Sequence, residues 1–337
     1  MNTQTNQSNI TPPRLVPALL NGFNTVANHI GLILFPVILD VFLWFGPHFR
    51  IYDLMQPVIQ QMSEMPGMDT PDMVKLLDTT NQLWQSFLSQ FNLAVVLRTF
   101  PIGVSSLLSG TSPVNTPLGT APVIEITSGI TAIGWWLLFI LIGIVAGALF
   151  FSLTAQYTLK NDQSLTVRRL GQNILQVFLL TFAGILLIIV LTLPMMIILS
   201  LIALVNISLA QLILLIYSLF LIWTMVPLLF SPHGIFVNRQ NALISMLTSV
   251  RLVRFVLSSS GLFFLSVLVL SQGLDVLWKI PPASSWLSFV GIAGHGFVTT
   301  GLLAASFYYY QDALHYVQDF LQRSVVSMPD PSSQFKL

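Results

Sequence analysis

Residues 174–230 read ILQVFLLTFAGILLIIVLTLPMMIILSLIALVNISLAQLILLIYSLFLIWTMVPLLF. They sit inside a longer interval, between Arg169 and Arg239, that holds no Asp, Glu, Lys or Arg. About 20 apolar residues already cross a bilayer core, so the interval is too long for one span. It accommodates two spans joined by a tight turn, and Asn206-Ile207-Ser208 is the plausible turn within it. The chain therefore reads as a polytopic integral membrane protein.

Composition agrees. The 337 residues are 54% hydrophobic and 7% charged, with a mean hydropathy of +0.81, whereas soluble domains carry about 25% charged residues. A net charge of +1 gives no electrostatic basis for binding nucleic acid. The absence of Cys excludes disulfides, thiolate metal sites and a cysteine nucleophile. Residues 1–13 are polar, without a basic n-region or a small-residue cleavage site, so the first hydrophobic segment is expected to be a retained span and not a removed leader.

Working outward from the charge-free hairpin (174–204 and 209–230), further spans are expected at 30–45, 130–157, 255–278 and 287–310, the last continuing as a helix to Arg323. The expected fold class is all-α: six transmembrane helices, with a large extracytoplasmic loop between the first two. The corresponding segments are a polar tail (1–14), a lead-in and first span (15–47), the partly helical loop (48–129), a five-helix region (130–323) and a second tail (324–337). With both termini inside, cytoplasmic segments hold Arg14, Lys160, Arg168, Arg169, Arg239, Arg251, Arg254, Arg323 and Lys336. Outside segments hold Arg50, Lys75, Arg98 and Lys279, and the first loop is acidic through Asp53, Glu64, Asp69, Asp72, Asp78 and Glu125. The bias follows the positive-inside rule, and a bacterial plasma membrane is the expected location.

Within the outer loop, 71–91 has helical apolar spacing, and 93–108 (LAVVLRTFPIGVSSLL) is apolar but short and interrupted by Arg98 and Pro101. Such a segment is expected to be interfacial or re-entrant, not spanning. Pro and Gly break the chain repeatedly from Gly110 to Pro122. No internal repeat is visible, so an inverted-repeat transporter is unsupported. Residues 238–256 form an amphipathic stretch with three Arg, read either as the basic collar of a cytoplasmic loop or as a contact for anionic headgroups.

Asp40 is the sharpest single residue. It lies inside the first span, one turn after Pro36, and an ionisable group at that depth is expensive unless paired or wetted. It is read either as part of a proton or cation path or as a structural carboxyl hydrogen-bonded to Ser, Thr or Asn of another span. Asp275 and Lys279 have the spacing of an ordinary helical ion pair. Asp312, His315 and Asp319 share one helix face, which suits either a solvated surface or, with a third ligand from elsewhere, a divalent metal. Tyr308, Tyr309 and Tyr310 are expected to form an interfacial aromatic belt. His295 lies in a small-residue run, Gly291 to Gly296, that favours close helix approach. No second His at matching depth supports haem ligation. Met62, Met65 and Met68, flanked by Met55 and Met73, are read as apolar filling in preference to a Cu(I) site, since no His or Cys accompanies them. No catalytic motif emerges, and neither a cofactor nor a resident metal is expected.

Two stretches carry a resemblance. Residues 226–255, a Pro-containing exit leading into an amphipathic helix, and Phe307-Tyr308-Tyr309-Tyr310-Gln311-Asp312 are similar to uncharacterised six-span bacterial membrane proteins. These include the membrane region associated with glycerophosphodiester phosphodiesterases. The chain departs from that pattern in lacking a basic residue after Asp312 and in its large first outer loop. The resemblance implies six spans and carries over no enzymatic residue. The expected role is a non-enzymatic scaffold or accessory subunit binding membrane lipid or a partner membrane protein. A carrier using Asp40 is the alternative, and a lipid-processing enzyme ranks below both.

Overall fold

The computed structural model describes residues 12–63, 71–110, 113–159 and 166–326. It is 80% helical. In chain order the helices are α1 (Leu15–Asn28), α2 (Leu34–Phe45), α3 (Tyr52–Ser63), α4 (Pro71–Gln90), α5 (Gly129–Thr158), α6 (Val167–Val205), α7 (Ile207–Met225), α8 (Ser231–Asn238), α9 (Ala242–Phe255), α10 (Leu257–Trp278) and α11 (Ser288–Val326). Five helices are long and apolar enough to cross a membrane, or up to six if α1 and the residues 30–45 count as one broken span. The break is at His29, where the chain bends sharply. The expected first span is thus the least regular: a 3-10 turn over Ile30–Ile33 and then only the 12 residues of α2.

The all-α expectation needs one amendment. Two small two-stranded sheets occur between α2 and α5: β1 (His48–Arg50) pairs in parallel with β4 (Val123–Glu125), and β2 (Asn115–Thr116) with β3 (Gly119–Thr120) in a hairpin. The Pro- and Gly-rich run that breaks helices is what permits this, and Gly119 takes the left-handed conformation (φ 109°) that the hairpin turn demands. Of the methionine cluster, Met65 and Met68, and the side chains of Met62 and Met73, lie outside the described residues.

By its contacts the chain divides into two compact units. The first comprises Met1–Ala27, Thr154–Leu268 and Gly301–Leu337. Its turn between α6 and α7 is a single residue, Asn206, whose side chain caps α7 by accepting from Leu209 N–H (3.1 Å). Lower in the hairpin, Tyr217 O–H donates to Thr192 Oγ1 (3.0 Å). The core of this unit gathers Phe230, Phe263, Tyr309 and Tyr310 with Leu252 and Val253. Tyr309 stacks on Phe263 with centroids 4.3 Å apart. This corrects the aromatic-belt expectation. Tyr309 and Tyr310 are 0% and 1% exposed and serve as core, with Tyr309 O–H donating to Ser259 (2.7 Å), while Tyr308 meets Thr25 across 3.1 Å. In the same unit α1 lies hard against α11: a Cβ at Gly22 would come within 2.5 Å of the backbone at Gly301 and Ala305.

The second unit comprises Asn28–Leu153 and Val269–Thr300. Its core joins Leu43, Trp44 and Phe49 to Leu93, Ala94, Leu97, Leu107, Leu108 and Phe139. Asn92 stitches β1 to the 3-10 turn Leu93–Leu97 by accepting from the N–H groups of Phe49 (3.1 Å) and Ala94 (3.0 Å). His48, buried in β1, has its imidazole pKa pushed below the ordinary value by burial, against a raising hydrogen bond to Leu43 and with a further lowering by Arg50. A base whose folded pKa is depressed stabilises the fold above its unfolded pKa, about 6.5. Stability should therefore drop as pH falls below that value, and His48→Gln should flatten the drop between pH 7.5 and 5.5 in thermal unfolding.

Candidate functional site

The second unit holds a polar cluster built around non-helical backbone. After the 3-10 turn Leu93–Leu97 the chain runs irregularly through Ile102, Val104, Ser106, Leu107 and Leu108, all buried. It lies against the middle of α5. A Cβ at Gly143 would strike the Leu97 carbonyl, and one at Gly147 would come within 2.9 Å of Gly103 Cα and 3.0 Å of the Ile102 carbonyl. Gly143 is 14 residues into α5, about 21 Å along its axis at 1.5 Å per residue. The absence of side chains at these two positions, one helical turn apart, opens the groove that admits the segment. The segment expected to be interfacial or re-entrant is thus irregular and largely buried from Ile102 to Leu108, while Arg98 and Phe100 are exposed.

Asp40 pins this segment. Ser106 O–H donates to its Oδ1 (2.5 Å), Leu108 N–H to the same oxygen (3.1 Å) and Leu107 N–H to Oδ2 (2.9 Å). The residue is 0% exposed. Ser106 Oγ in turn accepts from Ser109 N–H at 3.0 Å. The carboxyl thus supplies the acceptors that these backbone N–H groups would otherwise find in a regular helix. Its partners come from the irregular 98–108 segment and not from another apolar helix.

His295 stands nearby on α11, within electrostatic reach of Asp40. Its Nδ1–H donates to Asp275 Oδ1 on α10 at 2.7 Å, and its Nε2 is buried without a partner. One turn on, Thr299 O–H donates to the His295 carbonyl (2.8 Å) and Thr299 Oγ1 accepts from Ser105 (2.7 Å). Asp40 and His295, chosen separately from the sequence, therefore belong to one cluster. Asp275 is the member that sequence reasoning assigned elsewhere: it turns to His295 and not to Lys279. Helical spacing favours the i, i+4 lysine, and only the packing of α10 on α11 brings the histidine closer. That packing is made by the small-residue run, with Gly291 on the Trp278 carbonyl and Gly294 on the Trp278 ring, while Gly296 meets Pro36 and Val37 of α2.

Asp312 and His315 are not part of the cluster. Both are exposed on α11, as is Asp319, and among the described residues no group of three or more His, Cys, Asp or Glu is placed to hold a metal ion. His233 is buried in the first unit, with Nε2 2.7 Å from Ser306 Oγ.

Compared with family models, curated proteins and solved structures, the chain matches none.

Proposed function

We propose that this is a six-span protein of the bacterial plasma membrane, with both termini cytoplasmic. In this reading it acts without catalysis, as a scaffold or accessory subunit binding membrane lipid or a partner membrane protein. The observation that carries the reading is how little of the charge-free hairpin the chain covers for itself. The most apolar windows of α6 and of the α7–α8 stretch are each 6% buried, against 50% for α5 and 61% for α11. Such helices present their side chains to lipid or to another protein. Asp40, with both carboxyl oxygens engaged by the irregular segment, suits a structural part in that reading better than an open ion path. Native mass spectrometry from lipid nanodiscs tests it. A stoichiometric second protein or a retained lipid is the expected result, and a bare protein stripped of both would count against it.

One observation favours the second reading, a proton-linked carrier: the buried Asp275–His295 pair with its free Nε2. An imidazole with one nitrogen held by a carboxylate and the other unoccupied is a competent proton relay. His295→Gln in proteoliposomes separates the two readings. A scaffold keeps its lipid or partner stoichiometry and shows no proton flux in either form, whereas a carrier loses flux by about tenfold or more, as for removal of a general acid–base group.

A further inference from the structure

The first unit contains a cavity of about 790 Å³ at the polar end of α6. Arg168 and Arg169 line it from the first turn of α6, and Arg239 from the joint between α8 and α9. No acidic residue is among its described lining residues. The three cations come from chain segments some 70 residues apart in sequence, so their convergence is a product of folding and not of a local basic run.

One further feature shows that this cavity is built. Arg239 is the one non-glycine residue with positive φ among the described residues (φ 53°, ψ 33°). It closes α8 with a bond from Gln240 N–H to the Gly234 carbonyl (3.1 Å), the position that helices ordinarily give to Gly or Asn. An arginine here bears backbone strain that glycine would remove, and strain of this kind is retained where a side chain is needed. Gln240 also lines the cavity, with its Oε1 turned inward and buried against Gly234. The wall is otherwise rigid: Gln176 Oε1 accepts from Ala242 N–H (2.8 Å), and Asn241 caps α9 by accepting from Ile244 N–H (2.9 Å).

We infer that this cavity binds a phosphate ester, with Arg168, Arg169 and Arg239 on the phosphate. Arginine forks suit phosphate oxygens. The ligand is either the headgroup of an anionic phospholipid or a free phosphate ester. The site does not depend on the scaffold reading, since it stands whether or not a partner protein is bound.

The test uses the full chain in phosphatidylcholine nanodiscs, titrated separately with short-chain phosphatidylglycerol and with glycerol 3-phosphate. Saturable binding of the lipid alone identifies a headgroup site, and binding of glycerol 3-phosphate identifies a soluble ester; both support the inference. Arg168→Gln and Arg239→Gly are each expected to weaken binding by about tenfold or more, as for loss of one charge-assisted contact. Arg251→Gln, which removes an exposed cation from α9 outside the cavity, should leave binding unchanged. Arg239→Gly should also unfold at the same or a higher temperature than the parent in plain phosphatidylcholine, so that its loss of binding is not a loss of fold. Failure of both probes to saturate, or an equal loss in Arg251→Gln, overturns the inference.

Discussion

Replacing Asp40 by Ala should destabilise the protein by about 3–5 kcal/mol, because it strands the Ser106 hydroxyl and the N–H groups of Leu107 and Leu108 in a site without water access. Each buried donor left unmade costs about 1–3 kcal/mol, and the three are coupled through one carboxyl. Asp40→Asn keeps one carbonyl oxygen and should lose roughly half as much. Thermal or denaturant unfolding in mild detergent reads both. If Asp40→Ala unfolds with the parent, the irregular segment is held by its apolar contacts alone and the carboxyl must be present for another reason.

An effect of similar size is expected on α5. Gly143→Ala and Gly147→Ala each place a Cβ onto backbone atoms of the segment, at Leu97 and at Ile102–Gly103. Backbone cannot rotate aside as a side chain end would, so the segment must move as a whole. Overpacking of this kind costs about 1–3 kcal/mol. Gly147→Val should exceed either alanine and render residues 97–108 sensitive to added protease. Gly134, in the same helix, has open space around its Cβ position, and Gly134→Ala should be neutral or slightly stabilising through helix propensity. Equal behaviour at Gly134 and Gly147 would show that the groove is not what admits the segment.

The spanning helices were legible because a lipid-facing helix announces itself by composition alone. The charge-free hairpin, its Asn206 turn, α10 and the long α11 fall within a few residues of where hydropathy puts them. The α4 helix was equally clear from its apolar spacing. The broken first span was harder to see, since the chain bends at His29, a residue with no strong breaker signal. Burial of Tyr309 and Tyr310 was hidden because an aromatic cluster at a span end has the same composition whether it faces headgroups or Phe230 and Phe263. The site was half visible. Asp40 and His295 stand out as ionisable residues in apolar surroundings, but their partners, Ser106 and Asp275, look ordinary in sequence. Only tertiary packing, with Ser106 66 residues from Asp40 and Asp275 20 residues from His295, makes them partners.

The Ser105–Thr299 bond joins residues 194 positions apart, and this has a consequence for biogenesis. At about 5–20 residues per second of synthesis, the segment at 97–108 waits roughly 10–40 s for the helix that completes its enclosure. During that interval the segment has the carboxyl of Asp40 and the later-made groove of α5, but not α11, to pack against. The carboxyl of Asp40 on α2 is made before the segment and the groove on α5 after it, so α2 is the first surface against which it can dock. Truncation before residue 288 should leave a chain that inserts its earlier helices and is nonetheless degraded.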